Sequence, residues 1–174
     1  MQIAVLGAGG HGQVIASVLA LDSEIEYKYF DDWKDYPDFS AFLIDDWKRF
    51  IVAIGDNSER AKVFYIVNEI KTPQTVFHPS VMIPFPRVVG EGTFVNAGVI
   101  INTGAQIGDN VILNTGCIVE HHCIIHNHAH IAPGAILLGG VEIGEGALVG
   151  AGAVVLPGVR VPEWSTVGAG SIVE

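Results

Sequence analysis

Residues 107–125 read IGDNVILNTGCIVEHHCII, and this stretch decides the fold of the chain. An aliphatic residue recurs in it at every sixth position. These positions are Ile107, Leu113, Val119 and Ile125. The same register extends without an insertion back to Phe77 and forward to Val173. A period of six fits neither a helix of 3.6 residues per turn nor a hairpin protein, and it is typical of a hexapeptide-repeat β-helix.

Two further columns accompany the aliphatic one. A small or slim residue follows most of the aliphatic residues after four positions, and only Arg87 breaks this column. Glycine fills most of the positions three residues after them, where a turn favours its tolerance of left-handed backbone. Three hexapeptides make one triangular coil, so residues eighteen apart stack and the chain forms about five coils. Each buried aliphatic side chain contributes about 1.5–3 kcal/mol of transfer free energy.

The residues before the repeat predict a small parallel α/β domain over 1–75. The predicted elements are strands over 2–6, 27–30 and 50–55 and helices over 13–21 and 58–70. Asp56 or Asn57 is the expected cap of the second helix. In such a sheet the ligand crevice lies at the carboxyl ends of the strands, where 7–11, 31–32 and 55–57 fall.

The turn after the first strand matches G-x-G-x-x-G with Gly7, Gly9 and Gly12. A dinucleotide needs two mononucleotide halves, and this domain is long enough for only one. We therefore expect a single nucleotide diphosphate unit, with Gly9 to Gly12 at its phosphates. Asp31 or Asp32 would accept hydrogen bonds from its base or ribose. A tight turn without a ligand is the alternative.

The composition argues against several classes of function. A net charge of -10 disfavours nucleic acids and anionic membranes as partners. Apolar runs stay well below the ~18–20 residues of a membrane span, and the N-terminus does not read as a signal peptide. We therefore expect a cytoplasmic protein. Cys117 and Cys123 fall in the small-residue column, which predicts reduced core residues.

One segment departs from the repeat, residues 120–130, which read EHHCIIHNHAH. It contains five of the seven histidines, and His122 and His128 stand where glycine usually does. Stacking by eighteen puts Gly139 one coil after His121 and Thr103 one coil before it. Bare backbone at Gly139 leaves room for a reacting carbonyl beside the imidazole. This arrangement predicts a general base next to a backbone oxyanion donor.

Together these features resemble the left-handed β-helix acyltransferases that act on nucleotide-linked amino sugars. That family includes the UDP-4-amino-4,6-dideoxysugar N-acetyltransferases of the diacetylbacillosamine pathway, and the sialic acid O-acetyltransferases belong to the same extended family. The similar stretches are residues 7–12, 30–32, 53–55, 113–115 and 119–130. The resemblance implies a Rossmann-like domain for the nucleotide sugar over 1–75. It also implies a left-handed parallel β-helix for acetyl-CoA and catalysis over 76–174.

The resemblance further implies roles for individual residues and a homotrimer. His121 matches the family's general base, Gly139 its backbone oxyanion donor, and His122 the residue directly after the base. Acetyl-CoA would lie between neighbouring β-helices, with no metal involved. Its matching positions are Asn114, His130, Gly139, Ala151 and Ala169. The matching nucleotide-sugar contacts are Gly9, Gly10, His11, Asp31, Asp32 and Gly55.

Two features depart from the family pattern. The residue after the base is usually Asp or Glu, which orients the imidazole, whereas this chain has His122. Glu120 precedes the base instead, so what orients His121 is left open. Relatives also continue with a short basic segment, whereas this chain stops at Glu174, which implies weaker binding of acetyl-CoA.

The expected activity is acetyl transfer from acetyl-CoA to the 4-amino group of a nucleotide-linked 4-amino-4,6-dideoxysugar, with UDP, GDP and dTDP all left open. O-acetylation of a sialic-type sugar is the second reading, and a non-catalytic nucleotide-sugar-binding trimer is a third. A zinc carbonic anhydrase would use His121 and His126. Phe85 and Thr103 occupy the positions from which that class takes its third ligand.

Overall fold

The computed structural model describes residues 1–32, 36–84 and 88–174. Within them the chain divides into two compact units, Met1–Val76 and Phe77–Glu174. Phe85 and Arg87, which were singled out in the sequence, lie outside the described residues. None of the helices in the described ranges has the length and apolar character needed to span a membrane.

The first unit is a four-stranded parallel sheet with three helices. Its strands are β1 (Gln2–Leu6), β2 (Glu26–Phe30), β3 (Arg49–Val52) and β4 (Thr72–Pro73). Its helices are α1 (Gly10–Leu19), α2 (Phe39–Ile44) and α3 (Asn57–Asn68). The strand order is β2-β1-β3-β4, so the winding reverses between β1 and β3. Ligands of open α/β sheets bind at such a reversal.

Helix α2 and strand β4 were not predicted from the sequence. Asp38 begins α2, because its carboxylate accepts a hydrogen bond from the Ala41 N–H at 2.7 Å. The helix buries Phe42, whose ring centroid lies 5.0 Å from that of Phe30. Asp56 caps α3 by accepting from the Glu59 N–H at 2.9 Å, so it is the cap among the two predicted candidates.

The second unit, together with Val76 at the boundary, is a parallel β-helix of two-residue strands. In chain order they are β5 (Val76–Phe77), β6 (Val88–Val89), β7 (Phe94–Val95), β8 (Ile100–Ile101), β9 (Gln106–Ile107), β10 (Ile112–Leu113), β11 (Ile118–Val119), β12 (Ile124–Ile125), β13 (His130–Ile131), β14 (Ile136–Leu137), β15 (Glu142–Ile143), β16 (Leu148–Val149), β17 (Val154–Val155), β18 (Arg160–Val161), β19 (Thr166–Val167) and β20 (Ile172–Val173).

These strands form three faces, which the chain visits in turn. The first face contains β5, β7, β10, β13, β16 and β19; the second contains β8, β11, β14, β17 and β20; the third contains β6, β9, β12, β15 and β18. Ile112 pairs with His130 and Leu113 with Ile131, so residues eighteen apart stack as predicted. The prediction of a hexapeptide-repeat β-helix is confirmed.

The second residue of each strand points into the interior enclosed by the three faces, and the first residue points outward. The aliphatic column from Val95 to Val161 is buried in one continuous core. Cys117 and Cys123 lie in the same core with free thiols. Burial raises the pKa of Cys117 to about 12 and also raises the pKa of Cys123, so neither thiol suits nucleophilic chemistry.

Candidate active site

The first unit contains a cleft of about 670 Å³ at the carboxyl ends of β1, β2 and β3. Its lining includes every residue that was expected to contact a nucleotide sugar. These residues are Gly9, Gly10, His11, Asp31, Asp32 and Gly55. Tyr36 and Phe39 line it as well and were not anticipated. The volume falls within the range of small-molecule sites.

The glycines of the turn after β1 serve different purposes. Gly7 has φ +119°, and a Cβ on Gly12 would lie 2.0 Å from the Gly7 carbonyl oxygen. These two positions therefore require glycine for backbone geometry and close packing. Gly9 and Gly10 face open space at the start of α1. Their bare backbone lets a ligand approach the N-terminus of that helix.

The two carboxylates of the cleft already hold backbone groups. Asp31 accepts a hydrogen bond from the Ala8 N–H and thereby ties the glycine turn to the end of β2. Asp32 accepts from the Phe39 N–H at 3.1 Å and fixes the start of α2. Their expected contacts with base or ribose stay predictions, and their observed role is to shape the cleft.

His11 lines the cleft, and Arg60 lies buried close enough for its charge to act on the His11 ring. Burial, together with the nearby Arg60 charge, lowers the pKa of His11 to about 4. Burial also lowers the pKa of Arg60 to about 9, which leaves it charged at neutral pH. Sequence analysis missed Arg60. Its signal was the helical spacing that puts residue 60 on the same stripe of α3 as Phe64 and Val67.

We expect the free energy of unfolding to decrease as the pH falls from 6.5 to about 4. Unfolded His11 takes up a proton near its ordinary pKa of 6.5, whereas folded His11 resists protonation until about 4. The unfolded state therefore binds more protons across this window, and acid favours it. Denaturant unfolding at a series of pH values measures the slope. His11→Gln should flatten it, and an unchanged slope would contradict this origin.

In the second unit, the His121 ring lies directly against Gly139. A Cβ on Gly139 would come within 2.6 Å of the His121 Cε1 atom and 2.7 Å of its Nε2 atom. Among the described residues, no acceptor takes a hydrogen bond from the Gly139 N–H. Its carbonyl oxygen accepts from the Gly158 N–H in the ordinary ladder. An unoccupied amide donor therefore adjoins the imidazole at the corner between the second and third faces.

His122 is the hydrogen-bond partner of the His121 ring. Their Nδ1 atoms are 3.0 Å apart, and the two rings meet edge to face. His122 has φ 59°, and its ring lies over Gly104, where a Cβ would come within 2.8 Å of the His122 Cδ2 atom. Glu120 reaches only the His121 backbone N–H, at 3.4 Å. Of the two neighbours, His122 is the one that orients the imidazole.

Apart from Gly139, the residues expected to hold acetyl-CoA lie at or beside a different corner. Asn114 follows the first face, and its Nδ2 lies 3.2 Å from the Nε2 atom of His130. Ala151 and Ala169 are exposed at the same corner, eighteen residues apart. The Gly170 N–H donates to the Ala151 carbonyl oxygen, which stacks the two turns.

The second face separates these two groups within one chain. Asn114 precedes strand β11 and His121 follows it, so they lie at opposite edges of that face. His126 lies at yet another corner and pairs with Glu142 at 3.0 Å. The structure therefore does not bring His121 and His126 together, and the described residues contain no cluster of three metal-binding groups.

Two family models match the chain. The model for the PglD N-terminal domain matches residues 2–67. The model for the bacterial transferase hexapeptide, which describes six repeats, matches residues 104–139 and 122–157.

Similar proteins are sugar acetyltransferases. UDP-N-acetylbacillosamine N-acetyltransferase of Bacillus subtilis (strain 168) is 36% identical over 110 residues. That match spans 55% of this chain and 51% of the relative, so about half of the relative's length is covered.

Solved structures cover the whole chain. A variant of GDP-perosamine N-acetyl transferase from Caulobacter crescentus, in complex with CoA and GDP-perosamine, is 32% identical. Its TM-score is 0.94, with 100% of this chain and 89% of that chain covered. The acetyltransferase domain of PglB from Neisseria gonorrhoeae FA1090, in complex with acetyl coenzyme A, is 28% identical. Its TM-score is 0.87, with 99% and 92% covered. The chain therefore belongs to the family of hexapeptide-repeat acetyltransferases that carry a PglD-type N-terminal domain.

Proposed function

We propose that this protein transfers the acetyl group of acetyl-CoA to the 4-amino group of a nucleotide-linked 4-amino-4,6-dideoxysugar. The observation that carries the proposal is the contact between the His121 ring and Gly139, whose N–H has no acceptor among the described residues. A base and an amide donor side by side suit acyl transfer to an amine. The relatives named for UDP-N-acetylbacillosamine and GDP-perosamine support the substrate class.

The reaction follows from this geometry. His121 Nε2 takes a proton from the sugar amine as the nitrogen forms a bond to the thioester carbonyl carbon. The Gly139 N–H donates a hydrogen bond to the carbonyl oxygen as it becomes negative. The carbon–sulfur bond then breaks, and His121 returns the proton to the CoA sulfur. The products are an amide and free CoA.

His122 sets the tautomer that this reaction needs. Nε2 of His121 can act as a base only while the ring proton is on Nδ1. The Nδ1 proton then donates to the Nδ1 atom of His122, 3.0 Å away. His122 must therefore be neutral, with its own proton on Nε2. A neutral imidazole fills the place of the family's carboxylate and gives less stabilisation to the protonated base.

Replacing His122 by glycine should lower kcat at least about tenfold with little change in KM. The reason is that His121 loses the hydrogen bond that keeps its ring proton on Nδ1. Glycine suits the left-handed backbone at this position. His122→Asp should keep or raise kcat above that of the parent protein, since a carboxylate stabilises the imidazolium. Nitrogen NMR of the His121 ring should show a mixture of tautomers only in His122→Gly. A severe loss in His122→Asp would mean that His122 has a chemical role of its own.

Acetyl-CoA would occupy a groove between two copies of the chain. Within one chain, the second face lies between His121 and the expected acetyl-CoA residues Asn114, His130, Ala151 and Ala169. The two halves of the site are therefore apart in a single chain. A neighbouring copy that packs along this face would supply the missing half. The outward residues of the face support such packing because they are all aliphatic. They are Ile100, Ile118, Ile136, Val154 and Ile172.

The assembly we propose is a homotrimer packed through the second face. The third face has polar outward residues, among them Gln106, Glu142 and Arg160, which suit solvent. Each site in this trimer takes His121 from one subunit and Asn114 and His130 from the next.

Ile136→Lys should convert the trimer to monomers and abolish activity, because it places a charge in the centre of the proposed interface. Ile124→Lys is the matched control, since Ile124 holds the same outward position on the third face. Light scattering coupled to size-exclusion chromatography measures the mass of each variant. A trimeric Ile136→Lys variant would rule out this interface.

Release of CoA thiol tests the proposed activity. The protein is mixed with acetyl-CoA and a panel of UDP-, GDP- and dTDP-linked 4-amino-4,6-dideoxysugars, with a free sialic acid run separately. Release with one nucleotide sugar identifies both the base and the sugar. Release only with sialic acid would favour O-acetylation. No release from a folded trimer that still binds a nucleotide sugar would favour a non-catalytic role.

A further inference from the structure

Arg60 lies buried under the floor of the nucleotide-sugar cleft. It is only 1% exposed and is among the largest fully buried side chains of the described residues. Its Nη1 atom donates to the carbonyl oxygens of Ile54 and Gly55, at 3.2 and 3.4 Å. Both of those residues line the cleft. Burying a guanidinium costs free energy even when the group is paired. A buried charge at this place therefore indicates a functional role.

The lining of the cleft is otherwise poor in positive charge. Its described titratable residues are His11, Asp31, Asp32 and Tyr36. The two carboxylates repel an anion, and His11 is neutral at physiological pH. The N-terminus of α1 offers only about half a positive charge. Arg60 is a full positive charge held directly against the lining by its hydrogen bonds to the Ile54 and Gly55 carbonyl oxygens.

We propose that Arg60 makes the cleft selective for diphosphates, by attracting the ligand's negative charge across the thin Ile54–Gly55 loop. The inference rests on the proposed function, which requires a nucleotide sugar in this cleft. Because Arg60 is shielded from solvent, salt screens its attraction less than it would screen a surface charge. Arg60 does not need to touch the ligand, so it acts as a positioning residue.

Asp56 is the acid that opposes this charge. It is exposed at the start of α3, and its proximity raises the pKa of Arg60, although burial has the larger and opposite effect. The attraction of Arg60 for a ligand is therefore partly neutralised in the parent protein. Asp56→Ser would remove the opposing charge and keep an oxygen that caps the helix.

The test compares ligands that differ in phosphate charge on the full-length chain. Calorimetry measures the affinity for UDP, GDP and dTDP, and NMR titration measures the affinity for uridine, guanosine and thymidine. Arg60→Met should weaken binding of the preferred diphosphate at least about tenfold. It should change binding of the corresponding nucleoside by less than about twofold. Arg60→Lys should retain most of the preference. Equal losses for nucleoside and diphosphate would overturn the inference and leave Arg60 as a support for the loop.

Asp56→Ser is a second, independent test variant that does not disturb the buried Arg60 side chain. It should tighten diphosphate binding about threefold and leave the nucleoside unchanged. Absence of tightening would contradict the inference even if Arg60→Met does not fold. If the parent protein binds none of UDP, GDP and dTDP, the proposed function fails and this inference fails with it. If the parent binds one of them and the variants keep its preference for diphosphate, only the inference about Arg60 fails.

Discussion

His121→Ala should lower turnover by at least about 100-fold while leaving the fold and the oligomeric state of the protein unchanged. The ring is exposed at a corner of the β-helix and fills no part of the core, so its removal should leave the prism intact. Without it, the sugar amine has no base within reach of the Gly139 amide. The loss should fall on kcat, because in the proposed mechanism His121 acts on a proton that moves only in the transition state.

The matched control for this variant is His126→Ala. His126 is also exposed on the β-helix, but it lies at another corner and pairs with Glu142. Its replacement should leave turnover unchanged. Steady-state thiol release from acetyl-CoA compares the two variants, and calorimetry with the nucleotide diphosphate checks that binding survives. Equal turnover in His121→Ala and the parent protein would remove His121 from the mechanism and favour a binding role.

Gly139→Ala should lower turnover by about 100-fold as well, by displacing the proposed base His121 rather than deleting it. A Cβ at this position would lie 2.6 Å from the His121 Cε1 atom, which real contacts do not allow. The imidazole must therefore swing away from the Gly139 N–H. This displacement of the His121 ring also weakens the hydrogen bond between His121 and His122. Because the backbone at Gly139 lies outside the left-handed region, alanine adds no backbone strain of its own.

A double variant separates this mechanism from a general loss of structure. In a His121→Ala background the alanine at 139 meets no ring, so it should cost far less than it does in the parent protein. Turnover of the four proteins completes the cycle. If the two losses simply multiply, Gly139→Ala acts on something other than the position of His121.

Much of the fold follows from the sequence because the β-helix is periodic. One register of aliphatic residues fixes every strand, the stacking by eighteen and the corner at which each turn residue lies. Local signals were enough for α1 and α3. They were too weak for α2, whose six residues owe their stability to Phe42 packing on Phe30 and Phe50. Strand β4 is two residues long and forms only because β3 is beside it.

The candidate site was predictable where it depends on register and unpredictable where it depends on side-chain direction. Stacking was enough to put His121 beside Gly139. It could not reveal that His122 turns back to meet His121, because that depends on the left-handed backbone at His122 and the space over Gly104. Arg60 was missed because a charged residue on a helix is normally expected in solvent.

The measurement that tests the central claim most directly is analysis of the acetylated product. The protein, acetyl-CoA and a nucleotide-linked 4-amino-4,6-dideoxysugar are incubated together, and NMR of the purified sugar identifies the atom that carries the new acetyl group. We predict an amide at the 4-amino nitrogen, formed by the parent protein and almost absent with His121→Ala. An ester on a sugar hydroxyl, or an amide formed equally well without His121, would contradict the account.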